Sequence, residues 1–219
     1  MTEDFPRQLR GFGPVGILSI LVIFSGSILG PPLVAALVLV WAKWSETPWS
    51  EIGYARPRSW LGSTLGGAAL GIALKLLMKA VVMPLLGADP INQAYHYVAG
   101  NPAALPWMFF AIVVGAGFGE ETVFRGYMFE RLGKLLGKGA AAKVATVLIT
   151  STLFALGHYS TQGLAGVEQA GVTGLVFGAI FAVTGRLWMI VCAHVAFDFL
   201  ALALIYWELE TAVAHWVFK

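Results

Sequence analysis

Two adjacent glutamates and an arginine follow a run of residues that is apolar from 106 to 118. They are Glu120, Glu121 and Arg125. A charged side chain in a lipid-facing segment costs roughly 2.5–3.5 kcal/mol, so such residues usually face a protein interior and mark a working site. Carboxylates at this place in the chain therefore indicate chemistry rather than a lipid-facing surface.

The spacing of these three residues separates their roles. On a helix, Glu121 and Arg125 form an i, i+4 pair with the acid on the N-terminal side, which is the favourable orientation. Glu120 points about 100° away around the helix and remains unpaired. An unpaired carboxylate in a poorly hydrated site suits a general base or acid. The alternative is that all three side chains form one structural ion network.

Two later apolar segments carry histidines with a partner four residues away. Phe154 and His158 share one helix face, so the phenyl ring is expected to form an apolar wall beside the imidazole. A plain interfacial histidine is the alternative there. His194 and Asp198 share a face inside another span, where burying both is costly unless they pair or act.

Together, these segments supply a base, two imidazoles and a further polar group. That set can activate water and stabilise an oxyanion during amide hydrolysis. Hydrolysis by a serine nucleophile or by a pair of aspartates is disfavoured, because Ser151 lacks a glycine-flanked nucleophile setting and Asp198 lacks a second aspartate in another apolar segment. The sequence thus favours a glutamate- and histidine-based hydrolytic site.

Composition indicates the kind of scaffold that must position these groups. Hydrophobic residues make up 58% of the chain and charged residues 12%, with a mean hydropathy of +0.77. Soluble domains carry about 25% charged residues. We expect an all-α, polytopic membrane bundle of about six to seven transmembrane helices. Residues 1–219 are expected to form a single integral-membrane domain whose motif-bearing core is 105–206.

Apolar runs of about 20 residues locate the spans. The clear candidates are 60–86, 105–124, 144–158, 171–185 and 187–206. The first apolar stretch, 13–42, is interrupted by Gly30, Pro31 and Pro32, so it forms either one kinked span or two short ones, with two slightly favoured.

Lysine and arginine positions predict the topology. They cluster in the connections at 43–58 and 131–143 and at Arg186, whereas 87–102 and 159–170 contain none. The positive-inside rule then places the three connections that contain lysine or arginine in the cytoplasm. One difficulty follows. Glu120 and His194 fall near the cytoplasmic third of the bilayer, but His158 lies roughly 22 Å beyond Lys143 along a helix, which is too deep unless that helix tilts.

The ordered motifs resemble a known family. Glu-Glu-x-x-x-Arg, Phe-x-x-x-His and His-x-x-x-Asp across 119–198 are similar to those of the CAAX-protease and bacteriocin-processing (Abi) family of intramembrane endopeptidases. The resemblance implies a helical membrane protease with its catalytic cavity open towards the cytoplasm. Glu120 would activate water with His158, and Glu121 and Arg125 would support the site.

The resemblance also implies that His194 and Asp198 bind the oxyanion or orient the site. Some members carry asparagine in place of Asp198, and an ionised aspartate cannot donate to an oxyanion as an amide can. Asp198 would then orient His194 or ligate a metal. The family has been described both as metal-dependent and as glutamate-dependent without metal.

The sequence does not decide whether the site requires a metal cofactor. His158, His194 and Asp198 are the candidate ligands of a zinc ion with an open position. The chain lacks a His-Glu-x-x-His pair, and a metal-free catalyst is slightly favoured. Expected partners are membrane lipid and a protein or peptide substrate, including one lipidated at its C-terminus, but no nucleic acid. A bacterial cytoplasmic membrane is the expected location.

Two other functions remain alternatives to a protease. One is a non-catalytic bacteriocin-immunity or scaffold protein, and the other is a small proton-coupled transporter, which would more often show broken paired helices or repeats. Lys75 and Lys79 lie four apart in the 60–86 span and are expected to snorkel to an interface or to line an aqueous cavity. Holding a substrate carboxylate is their less favoured role.

Overall fold

The computed structural model describes residues 4–218, and this range contains helices and no β-strand. In chain order the helices are α1 (Asp4–Arg10), α2 (Pro14–Ser25), α3 (Pro31–Trp44), α4 (Trp60–Leu85), α5 (Pro102–Leu136), α6 (Ala140–Gly157), α7 (Tyr159–Thr184), α8 (Trp188–Tyr206) and α9 (Glu210–Ala214). The predicted all-α bundle is therefore confirmed.

Helices α4 to α8 are each long and apolar enough to cross a membrane. The count within residues 4–218 rises to six if α1 and the stretch Pro14–Leu29, which meet at 58°, are taken as one broken span. The sequence predicted about six to seven, so the lower figure agrees. The chain is an integral membrane protein.

The first apolar stretch is divided into two helices. The chain reverses at Gly30, whose φ of +100° is a conformation that favours glycine, and α3 begins with Pro31 at its first turn. Helix α3 has 14 residues, fewer than the roughly 20 that a perpendicular span requires. Two crossings by this stretch stay a prediction.

The predicted end of the second clear span was wrong, and the correction resolves the depth of His158. Helix α5 continues to Leu136, partly in π-helical form, so Glu120 lies about 24 Å above its C-terminal end. A short connection leads to α6, on which His158 follows about 27 Å from the start. The two side chains therefore reach the same level. Counting an apolar run stopped at the charges, but these charges face protein rather than lipid.

The segment predicted as an outer loop at 159–170 is largely helical. Helix α7 begins at Tyr159 and is interrupted at Gly163, where φ is 63° and ψ is −156°. It packs against α6 as an antiparallel hairpin. This stretch contains three polar residues that lower its mean hydropathy, so a hydropathy count did not identify the helix there: Gln162, Glu168 and Gln169.

A small-residue contact sets the position of α8. Gly67 and Gly71 of α4 form a Gly-x-x-x-Gly pair against α8. A Cβ atom would lie 2.3 Å from the carbonyl oxygen of Met189 if added at Gly67, and 2.0 Å from that of Ala193 if added at Gly71. The two backbones are thus in direct contact, as such motifs allow in membrane bundles. This contact fixes the depth of His194, the residue after Ala193.

We expect Gly71→Ala to destabilise the protein by about 1–3 kcal/mol or more, because the added methyl group overlaps a backbone oxygen and forces α4 and α8 apart. Thermal unfolding in detergent would measure the change. Gly66→Ala is the matched control, since that position on the same helix has no atom within 4 Å of an added Cβ. Equal unfolding temperatures for the two variants would contradict the proposed close contact.

Candidate active site

A buried ion pair lies at the centre of the site. Arg125 Nη1 donates to Glu121 Oε1 at 2.9 Å, and the two side chains are 1% and 0% exposed. The guanidinium also donates from Nη2 to the carbonyl oxygen of Gly174 on α7 at 3.4 Å. Its carbon lies 4.6 Å from the ring centre of Phe154 and 5.7 Å from that of Phe177. The predicted i, i+4 pair is present, and it links three helices.

The same carboxylate fixes the orientation of His194. Glu121 Oε1 lies 2.7 Å from His194 Nδ1. An ionised carboxylate only accepts hydrogen bonds, so Nδ1 is assigned as the donor. Nε2 then faces Glu120 Oε2 at 3.8 Å and Asp198 Oδ2 at 3.6 Å. Sequence reasoning considered Asp198 as the residue that orients His194 and missed Glu121 in that position.

Glu120 differs from its neighbour in having no strong partner. Its side chain is 18% exposed, and its buried Oε2 atom accepts no hydrogen bond within residues 4–218. A structural ion network therefore accounts for Glu121 and Arg125 but leaves Glu120 outside the ion pair. Glu121 Oε2 also has no hydrogen-bond partner in this range, but the Glu121 side chain is 0% exposed. Glu120 is therefore the carboxylate that a water molecule or substrate can approach.

Phe154 separates the two imidazoles and forms the apolar wall expected from the sequence. Its ring centre is 4.7 Å from that of His158 and 6.1 Å from that of His194. His158 lies 2.8 Å by Nδ1 from the carbonyl oxygen of Phe154, so Nδ1 donates and Nε2 remains available. His158 lines a cavity inside the bundle. This position disfavours the alternative in which it is a plain interfacial side chain.

All four proposed catalytic side chains border one cavity of about 580 Å³. They are Glu120, His158, His194 and Asp198. The volume falls in the range of ligand-binding pockets, about 300–1,000 Å³. Helices α5, α6 and α8, which carry the three motifs, therefore deliver their polar groups to a common space, as the sequence predicted.

Tyr95 also lines this cavity and was not found from the sequence. It lies in the connection between α4 and α5, where no motif or hydrophobic period distinguishes it. Burial raises the pKa of its phenol, and the negative charges of Asp198 and Glu120 raise it further. A phenol is protonated at neutral pH even at its ordinary pKa, so the Tyr95 hydroxyl can donate a hydrogen bond.

The candidate metal ligands do not form a metal site in their present arrangement. Within residues 4–218, no group of three or more His, Cys, Asp and Glu side chains is placed to hold an ion. The steps proposed below therefore use the side chains alone.

Comparison with protein-family models gives a match over part of the chain. Residues 102–200 match the family model described as type II CAAX prenyl endopeptidase, Rce1-like. The match confirms the resemblance to the CAAX-protease and bacteriocin-processing family. The matched region contains all three motifs, and the family that it resembles is one of proteases. Searches of curated proteins and of solved structures returned no significant match.

The buried ion pair of the Rce1-like region generates a stability prediction. Arg125→Met should destabilise the fold by about 3–5 kcal/mol, because it leaves the Glu121 carboxylate buried without its cation. Arg125→Met combined with Glu121→Gln should recover part of that loss. Thermal or denaturant unfolding would measure both variants.

Arg58→Met is the matched control. It removes the same positive charge from an exposed residue that lies ahead of α4. A double variant no more stable than Arg125→Met alone would show that the two residues are not coupled as the geometry indicates.

Proposed function

We propose that the protein is an intramembrane endopeptidase in which Glu120 activates the water that attacks a peptide bond. The observation that carries the proposal is the free carboxylate of Glu120 beside His194 Nε2, in a cavity that His158 also lines. The Rce1-like match supports this reading because its family is one of proteases.

The proposed reaction requires one water molecule and moves one proton through Glu120. The carboxylate accepts a proton from water as the oxygen attacks the scissile carbonyl carbon. The proton then passes to the amide nitrogen as the carbon–nitrogen bond breaks, which regenerates the carboxylate. His158 Nε2 lines the same cavity and helps to hold the water.

His194 and Asp198 have separate roles in this proposal. His194 is held by Glu121 with Nε2 towards the cavity. Because Nδ1 already donates to Glu121, His194 must carry a second proton on Nε2 to donate to the oxyanion that forms on the scissile carbonyl. Asp198 lies 3.6 Å from Nε2, and an ionised carboxylate cannot donate to an oxyanion. Asp198 is therefore a positioning residue that acts through His194, while the Tyr95 hydroxyl supplies a further donor.

The substrate we propose is a membrane-associated peptide or protein, lipidated at its C-terminus as in CAAX proteins. Apolar residues that border the cavity are exposed on the outer surface of the bundle: Leu29 by 77%, Trp107 by 65% and Phe110 by 45%. An apolar mouth suits a substrate that arrives through the lipid. A bacterial cytoplasmic membrane with the cavity accessible from the cytoplasm remains the proposed location.

Glu120→Gln should lower kcat/KM by about 10²–10⁴-fold, because the amide keeps the shape of the side chain but cannot accept the proton of water. The assay is cleavage of a fluorescent peptide ending in a prenylated Cys-aliphatic-aliphatic-Xaa sequence by purified protein in lipid nanodiscs. Full activity of the variant would contradict the proposed base.

Asp198→Asn should have a smaller effect than Glu120→Gln in the same assay. We expect a loss of no more than about tenfold, because the amide preserves the contact with His194 and asparagine can donate a hydrogen bond. Unfolding temperatures should match the wild type, which separates chemistry from folding. A loss as large as that of Glu120→Gln would place Asp198 among the proton-transfer groups.

Cleavage should also survive treatment with a strong chelator, since His158, His194 and Asp198 do not converge on one ion. The measurement is the rate before and after chelation, with zinc content determined on the same sample. Loss of activity that zinc restores would show that the side chains rearrange around a metal.

A further inference from the structure

A buried lysine on α4 is not accounted for by the proposed reaction. Lys75 is 6% exposed, and its Nζ donates to Gln169 Oε1 on α7 at 2.9 Å. The same nitrogen lies 4.8 Å from the ring centre of Phe197 on α8. Neither contact supplies a negative charge.

Lys79, one turn further along α4, shows how the fold neutralises a similar side chain. Its Nζ lies 2.9 Å from Glu210 Oε1 and also donates to the carbonyl oxygen of Pro90. The backbone nitrogen of Asn92 donates to the same carboxylate at 3.2 Å. Lys75, in contrast, forms no ion pair with any residue from 4 to 218. Lys79 is thus paired directly with a carboxylate, whereas Lys75 has no carboxylate in direct contact.

Lys75 is also placed where a ligand can reach it. It borders both the catalytic cavity and a second cavity of about 430 Å³, and Gln169 borders both as well. Burying a cation without an anion is unfavourable, and proteins that keep such a group usually use it. Asp198 and Glu210 are the nearby negative charges of the chain, but neither forms an ion pair with Lys75. The anion of a bound ligand can therefore pair directly with the ammonium group.

The position of Lys75 relative to the reacting groups is set by the contact between α4 and α8. Gly71 lies against Ala193 and Phe197, so it is level with His194. Lys75 follows four residues later, an offset of about 6 Å along the helix axis. Three extended residues span about 10 Å. A short peptide segment can thus reach from the scissile bond to Lys75.

We propose that Lys75 and Gln169 form a subsite for the terminal carboxylate of the peptide that is cleaved. The proposal rests on the endopeptidase function above. An unmodified peptide brings one obligatory anion, its C-terminal carboxylate, and an ammonium group beside an amide binds that anion by charge-assisted hydrogen bonds. The enzyme would then select substrates by the distance between the scissile bond and the free C-terminus.

Binding to the Glu120→Gln protein tests the subsite without relying on turnover. Two fluorescent prenylated peptides of identical sequence are titrated into nanodiscs of zwitterionic lipid, one with a free C-terminal carboxylate and one with a C-terminal amide. We expect the free acid to bind about tenfold or more tightly. Adding Lys75→Met should weaken the free acid to the level of the amide and leave the amide unchanged.

Two further variants separate recognition from general damage. Glu120→Gln with Lys143→Met removes an exposed lysine of α6 and should keep the preference for the free acid. Glu120→Gln with Gln169→Leu should reduce the preference by removing the neighbour of the ammonium group. Equal weakening of both peptides by Lys75→Met would indicate structural damage and would overturn the proposal.

The phosphate group of an anionic lipid could bind Lys75 in place of the peptide carboxylate. Repeating the titration in nanodiscs that contain anionic lipid distinguishes the two ligands. Equal affinity for the two peptides, together with a Lys75-dependent effect of anionic lipid, would assign the lysine to lipid and contradict the peptide subsite. Cleavage by the wild-type protein is scored separately. A protein that cleaves neither peptide but distinguishes them in binding would refute the protease and retain the subsite.

Discussion

The hydrogen-bonded chain from Arg125 through Glu121 to His194 is the interaction on which the rest of the site depends. It brings a cation, a carboxylate and an imidazole together in an interior where each alone would be strongly unfavourable. Because one carboxylate oxygen accepts from both partners, α5 and α8 must keep a fixed register. The packing of Phe154 and Phe177 against the guanidinium adds α6 and α7 to the same cluster.

This arrangement explains why two adjacent glutamates behave differently. Glu121 is neutralised and inaccessible, so it serves to orient His194. Glu120 is 18% exposed and borders the cavity of about 580 Å³, which Glu121 does not. The glycine contact between α4 and α8 contributes from the other side, because it sets the depth at which His194 and Lys75 enter that cavity. A rigid ion pair and a close helix contact thus place the free carboxylate.

The sequence predicted the helical class, the motif-bearing helices and the convergence of Glu120, His158, His194 and Asp198. It misplaced the end of α5 because a hydropathy count treats every charge as exposed to lipid, whereas Arg125 is covered by protein. The partner of His194 could not be predicted, since Glu121 already had a satisfactory partner in Arg125. Tyr95 lies in a connection without periodicity, and its role depends on how the chain folds back over the cavity.

The central claim is that Glu120 confers peptide-bond hydrolysis on this membrane protein. The most direct measurement compares cells carrying the native protein with cells carrying Glu120→Gln at matched membrane abundance and records all new peptide termini by mass spectrometry. The account predicts a set of termini that is present with the native protein and absent with the variant. Identical termini in both, with any protective effect of the protein retained, would contradict it and favour a non-catalytic immunity or scaffold role.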